Sequence, residues 1–369
     1  MTVSNARTEP ALLDRIRGCF IGLAVGDALG VPVENMTHEA ILTATNGQGI
    51  RGYCPMLQPV LRDDAPQHVP GAWSDDTQLT LVTLNAIVRA RGFDLRAQAR
   101  GLVDAYESST FGWGGTTRDA ALELQAWFDT GGKLGRMPET PAAEPPPGIN
   151  RGLGSGPAMK IAALSVLHLW ANDRDVIWQP RYATFIGDAM ALGLMTHSDP
   201  RASIASIALG FAMAHLGKPA TLKDDGGRAG IDALNFANQA ARSAERQYAG
   251  FRTAQPSFSS RLGHAHSLCG DEDALRKDIN TGFSSLESVP FAIATAAVHA
   301  SDFRKAVLTA VNAGQDADTT GSMVGAMVGA NVGLQGIPEE WVQGLKDGDV
   351  IMDAADRLAQ TVFHIQPRR

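Results

Sequence analysis

The sequence predicts an all-α fold, a single compact domain built from many helices. Apolar residues recur at three- and four-residue intervals along most of the 369-residue chain, as they do on the buried face of a helix. Convincing strand alternation is absent, as is the strand–helix–strand rhythm of a parallel sheet. Hydrophobic residues make up 44% of the chain and charged residues 19%, which is the composition of an ordinary globular protein.

The predicted helices run from near the start of the chain to its end. Residues 12–29 form the first, with one apolar face and many glycines and alanines. The second covers 77–88 with Ser74 or Asp75 as its N-cap, and the last covers about 350–363 with Asp349 as its cap. The same apolar spacing predicts helices at 118–128, 159–170, 181–194, 201–215, 231–248, 289–299, 302–311 and 319–332.

Two stretches interrupt this helical pattern. Residues 36–72 contain glycine, proline and few periodic apolar residues, and residues 131–157 form a Gly/Pro-rich loop. Long stretches of this kind in a compact domain are usually functional or disordered. The Gly-rich end of the second leads into a helix, where an anion could be held. We expect one domain over residues 1–369, with a flexible start at residues 1–10.

Charge and cysteine content exclude several classes of protein. The net charge is −7 and no basic cluster stands out, so nucleic acid is not an expected partner. The N-terminus is too polar for a secretory signal, and we expect no apolar run long enough to cross a membrane. Three scattered cysteines without a CxxC spacing indicate reduced thiols. These features predict a cytoplasmic protein.

Two acidic clusters carry the strongest chemical signal. Residues 74–77 (Ser-Asp-Asp-Thr) and 316–320 (Asp-Ala-Asp-Thr-Thr) each open a predicted helix. Carboxylate and hydroxyl oxygens are hard ligands that suit Mg²⁺ or Mn²⁺. If the fold joins the clusters, four carboxylates meet, and they repel one another unless cations lie between them. Together the clusters predict a two-metal hydrolytic site.

Taken alone, each cluster has another interpretation as a helix N-cap. The second also imitates a calcium-binding EF-hand loop, but Met327 stands where a glutamate ligand is needed. We expect the positive end of the helix to keep Asp316 and Asp318 ionised. Glycines at four-residue spacing, Gly321, Gly325 and Gly329, predict that another backbone packs closely on this helix within the protein.

The two clusters together resemble the ADP-ribosylglycohydrolase family, the type that includes dinitrogenase-reductase-activating glycohydrolase. The resemblance runs from about residue 17 to residue 345. It includes the opening helix at 18–30 (GCFIGLAVGDALG) with Glu34, the Ser-Asp-Asp-Thr motif, and the Thr-His pair at 196–197. It continues through 286–290 (LESVP) and 310–321 (AVNAGQDADTTG).

This resemblance implies the all-α fold of that family, with a binuclear metal site in a central cleft. It implies two Mg²⁺ ions, with Mn²⁺ as the alternative, and release of ADP-ribose by hydrolysis at the anomeric carbon. A carboxylate, Asp75, Asp76 or Asp318, would take the proton of water, and Glu34 would position substrate or act as acid/base. Glu34 could instead be a solvated helix-end residue. The implied metal ligands are Ser74, Asp75, Asp76, Asp316, Asp318 and Thr319.

Substrate contacts are expected from three further segments. Gly112, Gly114 and Gly115 precede a helix and suit a diphosphate, although a tight interhelical turn explains them equally well. Ser155 and Gly156 belong to a segment that resembles the family's Asn-Gly-x-x-Met-Arg pattern, with Ser155 for Asn and Lys160 for Arg. Lysine lacks the planar fork of arginine, so this contact departs from the family. His197 either touches ligand or braces the site.

The expected substrate is an ADP-ribosylated protein or a small ADP-ribose conjugate. Arginine-linked ADP-ribose is the first choice, while serine-linked and O-acetyl forms stay open. The reaction would reverse a regulatory mark or protect against an ADP-ribosyltransferase toxin, which residues 36–72 could also bind. The alternative is a non-catalytic protein on the same fold that binds ADP-ribose or a toxin.

Overall fold

The computed structural model describes residues 5–57, 68–142, 152–170, 180–217, 228–248 and 255–364. Within these ranges the regular structure is helical throughout. The extended pairings in the described ranges are two isolated bridges, Thr37 with Gly314 and Gly154 with Ser284. The predicted all-α class is therefore confirmed.

Seventeen α-helices occur in the described ranges. They are α1 (Asn5–Gly30), α2 (His38–Ala44), α3 (Asp75–Ala90), α4 (Leu95–Ser108), α5 (Gly115–Asp129), α6 (Gly156–Met159), α7 (Ala162–Leu169), α8 (Pro180–Leu194), α9 (Pro200–Leu216), α10 (Arg228–Gln247), α11 (Phe258–Ser267), α12 (Glu272–Ala274), α13 (Ser288–Val298), α14 (Phe303–Ala313), α15 (Ala317–Val332), α16 (Glu339–Gly344) and α17 (Gly348–Phe363). Two 3₁₀ turns, Val31–Val33 and Leu334–Gly336, and a π turn, Leu275–Ile279, complete the regular structure.

Several predicted boundaries need correction. Helix α1 begins at Asn5, before the predicted start at residue 12, while residues 1–4 lie outside the described ranges. The helix predicted at 159–170 is two helices, α6 and α7, because the chain turns at Lys160. Asp349 lies inside the first turn of α17, and the residue before that helix is Asp347 in a left-handed conformation. Helices α2, α4, α11, α12 and α16 were not predicted.

Helix α1 is the central helix of the core. Over Pro10–Val33 it is long and apolar enough to cross a membrane, with a mean hydropathy of 1.5, which corrects the expectation that no segment reaches that length. In the structure 94% of this window is buried inside the protein. A helix that is apolar on all sides needs such surroundings, so the packing around α1 accounts for its composition.

Glycines bring α1 and α15 into backbone contact. A Cβ atom added to any of six glycines would overlap the carbonyl group of the glycine opposite. This confirms the prediction that the glycine stripe packs inside the protein. At the end of the stripe, Gly30 lies against the backbone of Asp318, so the contact also places the acidic start of α15. The facing pairs are Gly18 with Gly329, Gly22 with Gly325, and Gly26 with Gly321.

Two arginines tie α1 to other helices. The guanidinium of Arg15 is buried and donates a hydrogen bond of 2.9 Å to the carbonyl of Leu216 at the end of α9. Arg17 makes a bidentate ion pair with Asp356 of α17, with nitrogen–oxygen distances of 2.6 and 2.7 Å. Paired nitrogens and oxygens of this kind fix orientation as well as distance, so the contact with Asp356 helps to set the rotation of α1.

The glycine contact predicts a large loss of stability for Gly325→Ala. The new methyl group would meet the Gly22 carbonyl, and overpacking of this kind costs about 1–3 kcal/mol. The matched control is Gly187→Ala in α8, where nothing lies within 4 Å of the added atom. Since alanine favours helix over glycine, the control should gain up to about 1 kcal/mol. Urea unfolding of both variants measures the difference, and equal stabilities would contradict the contact.

Candidate active site

Asp27 of α1 anchors the first acidic cluster. Its carboxylate is completely buried and accepts four hydrogen bonds from the start of α3. Ser74 donates its backbone N–H at 2.9 Å and its hydroxyl at 2.8 Å, and Thr77 donates its N–H at 3.0 Å and its hydroxyl at 2.6 Å. Ser74 is the N-cap residue, as predicted, but its side chain does not cap the helix. Asp27 takes over the capping role from a neighbouring helix.

The second cluster follows a turn that the backbone holds tightly. Gly314 and Gln315 both have positive φ, at +84° and +59°. Gln315 exchanges two backbone hydrogen bonds of 2.7 Å with the segment after Glu34, donating to Met36 and accepting from Asn35. The turn thereby fixes the Glu34 segment next to the beginning of α15.

The fold brings the two acidic clusters together. The hydroxyl of Ser74 lies 3.4 Å from an Asp318 oxygen, and the hydroxyl of Thr319 donates to Asp76 at 3.2 Å. The other oxygen of Asp76 accepts a bond of 2.7 Å from Ser322, one turn further along α15. Residues separated by about 240 positions in the chain therefore share one buried polar layer.

Burial and mutual repulsion control the protonation of this layer. Burial, followed by the nearby Asp318 carboxylate, raises the pKa of Asp27 to about 7. The pKa of Asp76 lies well above its usual range because of burial, Asp27 and Asp318, and that of Asp316 is raised by burial and Asp318. At Asp316, burial and the neighbouring Asp318 carboxylate oppose the stabilisation that a helix N-terminus gives to an ionised acid.

The oxygen donors of the two clusters suit a hard cation, but in this structure they do not form a complete coordination shell. Among the described residues, no group of three or more His, Cys, Asp or Glu side chains is arranged so that it could hold a metal ion. The donors present are carboxylate and hydroxyl oxygens, which suit Mg²⁺ or Mn²⁺. The raised pKa values of Asp76 and Asp316 reflect crowded carboxylates, a conflict that a bound cation would relieve.

A cleft of about 320 Å³ opens onto the clusters. Most of the residues predicted for the site line it. Two of them, Ser74 and Asp76, do not. Asp76 accepts its hydrogen bond from Ser322 of α15, and Ser74 donates to Asp27. The predicted residues that line the cleft are Glu34, Asp75, Gly112, Gly114, Gly115, Ser155, Gly156, His197, Asp316, Asp318 and Thr319.

The glycine-rich loop forms one wall of the cleft. Gly112 has φ +84°, and a Cβ there would overlap a carboxylate oxygen of Asp75, so the loop needs glycine at this position. Gly114 is the N-cap of α5, and Gly115 is its first residue. The first N–H groups of a helix lack partners within it, which makes this wall suitable for an anion.

His197 belongs to another wall of the cleft, and Lys160 is buried close to it. The Thr196 hydroxyl lies 2.9 Å from Nδ1 of His197, and the ring packs against Gly156, where a Cβ would overlap it. Burial lowers the pKa of Lys160 to about 8, and burial together with Lys160 lowers that of His197 to about 3. The imidazole is therefore neutral at physiological pH. Ser155 donates a 3.0 Å bond to Asp316, which links this wall to the acidic layer.

Some residues of the site were missed in the sequence. Asp27 was passed over inside an apolar helix, although a buried acid in such a helix needs partners and could have been noticed for that reason. Phe283 and Ser284 line the cleft from a segment with no chemical motif. Ser322, which holds Asp76, resembles an ordinary small residue on the glycine stripe.

Comparison with known proteins identifies a family that matches nearly the whole chain. The sequence profile of the ADP-ribosylglycohydrolases matches residues 8–367. The chain belongs to the ADP-ribosylglycohydrolase family. A solved structure described as an ADP-ribosylglycohydrolase-related protein complex superposes with a TM-score of 0.58 at 23% identity, covering 96% of this chain and 99% of the other. The shared fold thus extends over nearly the whole ADP-ribosylglycohydrolase chain.

Relatives of this ADP-ribosylglycohydrolase include both named and uncharacterised proteins. An uncharacterised protein of Archaeoglobus fulgidus is 24% identical over 95% of this chain and 98% of its own length. ADP-ribosylarginine hydrolase Tri1 of Serratia proteamaculans is 23% identical over 97% of this chain and 81% of its own.

The buried acids of this ADP-ribosylglycohydrolase predict a pH effect on stability. Asp76 holds its proton in the folded protein at pH values where the unfolded chain has released it. Raising the pH through this window therefore favours unfolding, by up to about 1.4 kcal/mol per pH unit for one group. In chelator, Asp76→Asn should lose less stability than wild type between about pH 5 and pH 8.

Urea unfolding at several pH values measures that difference directly. The amide of Asp76→Asn can still accept a hydrogen bond from Ser322 through its oxygen, so the variant is close to isosteric. Identical pH dependence of wild type and variant would mean that Asp76 is already ionised at low pH in the fold.

Proposed function

We propose that this chain is an ADP-ribosyl hydrolase that cleaves the glycosidic bond between ADP-ribose and a modified arginine side chain. The observation that carries the proposal is the cleft itself. Carboxylates from α3 and α15 line it together with the glycine-rich start of α5, which lies against Asp75. The carboxylates suit a sugar and a water, and the adjoining glycine-rich segment suits the negatively charged diphosphate. Family membership supports the same chemistry.

The proposed ligands of two divalent cations, Mg²⁺ or Mn²⁺, come from both clusters. The oxygen-only donor set and the raised pKa values of Asp76 and Asp316 support this. When bound, such cations supply positive charge that orients sugar hydroxyls and makes water a better nucleophile. The residues that would hold them are Ser74, Asp75, Asp76, Asp316, Asp318 and Thr319.

The protein groups around the anomeric carbon supply the proton transfers. Asp75 and Asp318 line the cleft, so either carboxylate can accept a proton from the attacking water. Glu34, buried at the cleft wall, positions substrate or gives a proton to the leaving group. A nearby carboxylate also stabilises the oxocarbenium-like transition state of glycoside cleavage. His197 is neutral and acts as a hydrogen-bonding wall for the ligand.

Arginine is the favoured leaving group for two reasons. The charged side chains among the described residues that line the cleft are all acidic, and Glu34 lies outside the proposed metal-ligand set. A guanidinium pairs well with such a carboxylate, whereas a serine hydroxyl has no charge to offer it. The relation to Tri1, named as an ADP-ribosylarginine hydrolase, supports the same linkage.

We further propose that the reaction takes place in the cytoplasm, where three free cysteines stay reduced. The modified protein is a target of an endogenous ADP-ribosyltransferase or of a toxin. A direct toxin contact at residues 36–72 stays a prediction, and residues 58–67 of that stretch lie outside the described ranges.

The proposal predicts release of free ADP-ribose from an ADP-ribosyl-arginine protein in the presence of Mg²⁺ or Mn²⁺. Chelator should abolish release, and Asp316→Ala should reduce it by at least about 100-fold, since removal of one essential electrostatic group has effects of this size. Asp104→Ala, an exposed aspartate on α4, is the matched control and should retain full activity.

A second readout separates loss of activity from loss of folding. Mg²⁺ or Mn²⁺ should raise the thermal unfolding midpoint of wild type, because a ligand that binds the native state stabilises it, and should raise that of Asp316→Ala less. If ADP-ribose binds by calorimetry but no linkage is cleaved with either metal, the protein is a non-catalytic reader of ADP-ribose.

A further inference from the structure

A second cavity, of about 350 Å³, lies beside the active-site cleft and shares no lining residue with it. Its described lining contains aromatic rings, polar groups and one lysine, and no carboxylate. The acidic cleft has the opposite character. The lining residues that matter here are His68, Trp73, Ser74, Gln78, Phe111 and Lys346.

A wall one residue thick separates this cavity from the cleft. Ser74 lines the cavity, whereas the next residue, Asp75, lines the cleft. Likewise, Phe111 lines the cavity and Gly112 lines the cleft. Consecutive Cα atoms are only about 3.8 Å apart. Across the same wall, Gln78 of the cavity accepts a hydrogen bond of 2.7 Å from Trp113 of the cleft. A polypeptide bound with one side chain in the cleft passes close to the cavity.

Lys346 gives the cavity a positive charge. Its backbone, not its side chain, holds the loop: the N–H donates to Gly71 at 2.9 Å, and the carbonyl accepts the indole N–H of Trp73 at 3.0 Å. Lys346 is exposed, and its ammonium group forms no ion pair with a carboxylate of the described residues. The ammonium is thus available to a ligand, and the loop does not depend on it.

The imidazole of His68 adds a hydrogen-bonding group to the same cavity. Its Nε2 atom is buried and has no hydrogen-bond partner among the described residues. The ring stacks on Phe111, with centroids 6.2 Å apart and planes inclined by 20°. An unpaired buried polar atom is costly, so a ligand that bonds to it would gain from the contact. An ammonium, an imidazole and two aromatic faces together suit a carboxylate on a short apolar stem.

We infer that this cavity receives an acidic side chain, glutamate or aspartate, that lies within about three residues of the modified arginine in the target polypeptide. The inference rests on the proposed function, and it assigns a sequence preference to it. An extended chain covers roughly 3.3–3.6 Å per residue, so a neighbour two positions away is roughly 7 Å along the backbone. That span is enough to cross a wall one residue thick.

The test uses two ADP-ribosyl-arginine peptides that differ only at the position two residues from the arginine, with glutamate in one and lysine in the other. Wild type should cleave the glutamate peptide about fivefold more efficiently in kcat/KM, which is the effect of one favourable, partly exposed charge pair. Lys346→Glu should reverse the preference, and Lys346→Met should abolish it. Lys277→Glu, an exposed lysine of the Leu275–Ile279 turn, should leave it unchanged.

The outcomes separate the two proposals. Equal kcat/KM for both peptides with wild type would overturn the acidic-neighbour inference and leave the hydrolase intact. A preference that survives Lys346→Glu would also overturn it. No release from either peptide, with either metal, would overturn the proposed arginine hydrolase and this inference with it. Unchanged thermal unfolding of Lys346→Glu would show that a reversed preference does not come from damage to the fold.

Discussion

The backbone contact between α1 and α15 is the constraint on which the site depends. Glycines on both helices let the two backbones touch at successive turns, so their axes lie closer than side chains would otherwise permit. At this separation, Asp27 of α1 reaches the start of α3, and Asp318 of α15 lies beside it. The acidic layer is thus a consequence of helix packing, and the loops around the cleft refine what that packing creates.

The same packing produces an electrostatic conflict that the fold tolerates. Carboxylates in a buried layer oppose ionisation, and Asp27, Asp76 and Asp316 all have raised pKa values. Hydroxyl donors offset part of the cost: Ser74 and Thr77 serve Asp27, and Ser322 serves Asp76. The same crowding of carboxylates would favour the cations proposed above, because positive charge stabilises ionised acids that repel one another. Stability and the proposed cation binding therefore place opposite demands on this layer.

Helical periodicity was enough to predict the long apolar helices, and the two acidic motifs were enough to predict which segments meet. Three features could not be predicted from the sequence. Adjacent aspartates on a helix point about a quarter-turn apart, but only the packed structure decides that Asp75 faces the cleft and Asp76 faces α15. The role of Asp27 depends on a helix start about fifty residues away. The second cavity joins segments near residues 70, 110 and 346, which share no pattern along the chain.

Helix α1 is synthesised long before most of the helices that pack against it. Apart from α3, its principal helix neighbours, α14, α15 and α17, all follow residue 300. At ribosomal rates of about 5–20 residues per second, a nascent chain waits on the order of 15–60 s before those partners emerge. Throughout that interval, a segment apolar enough to enter a bilayer is exposed with its glycine face uncovered. The architecture that builds the acidic layer thus leaves an apolar helix without most of its native neighbours during synthesis, a condition in which exposed apolar surface favours aggregation.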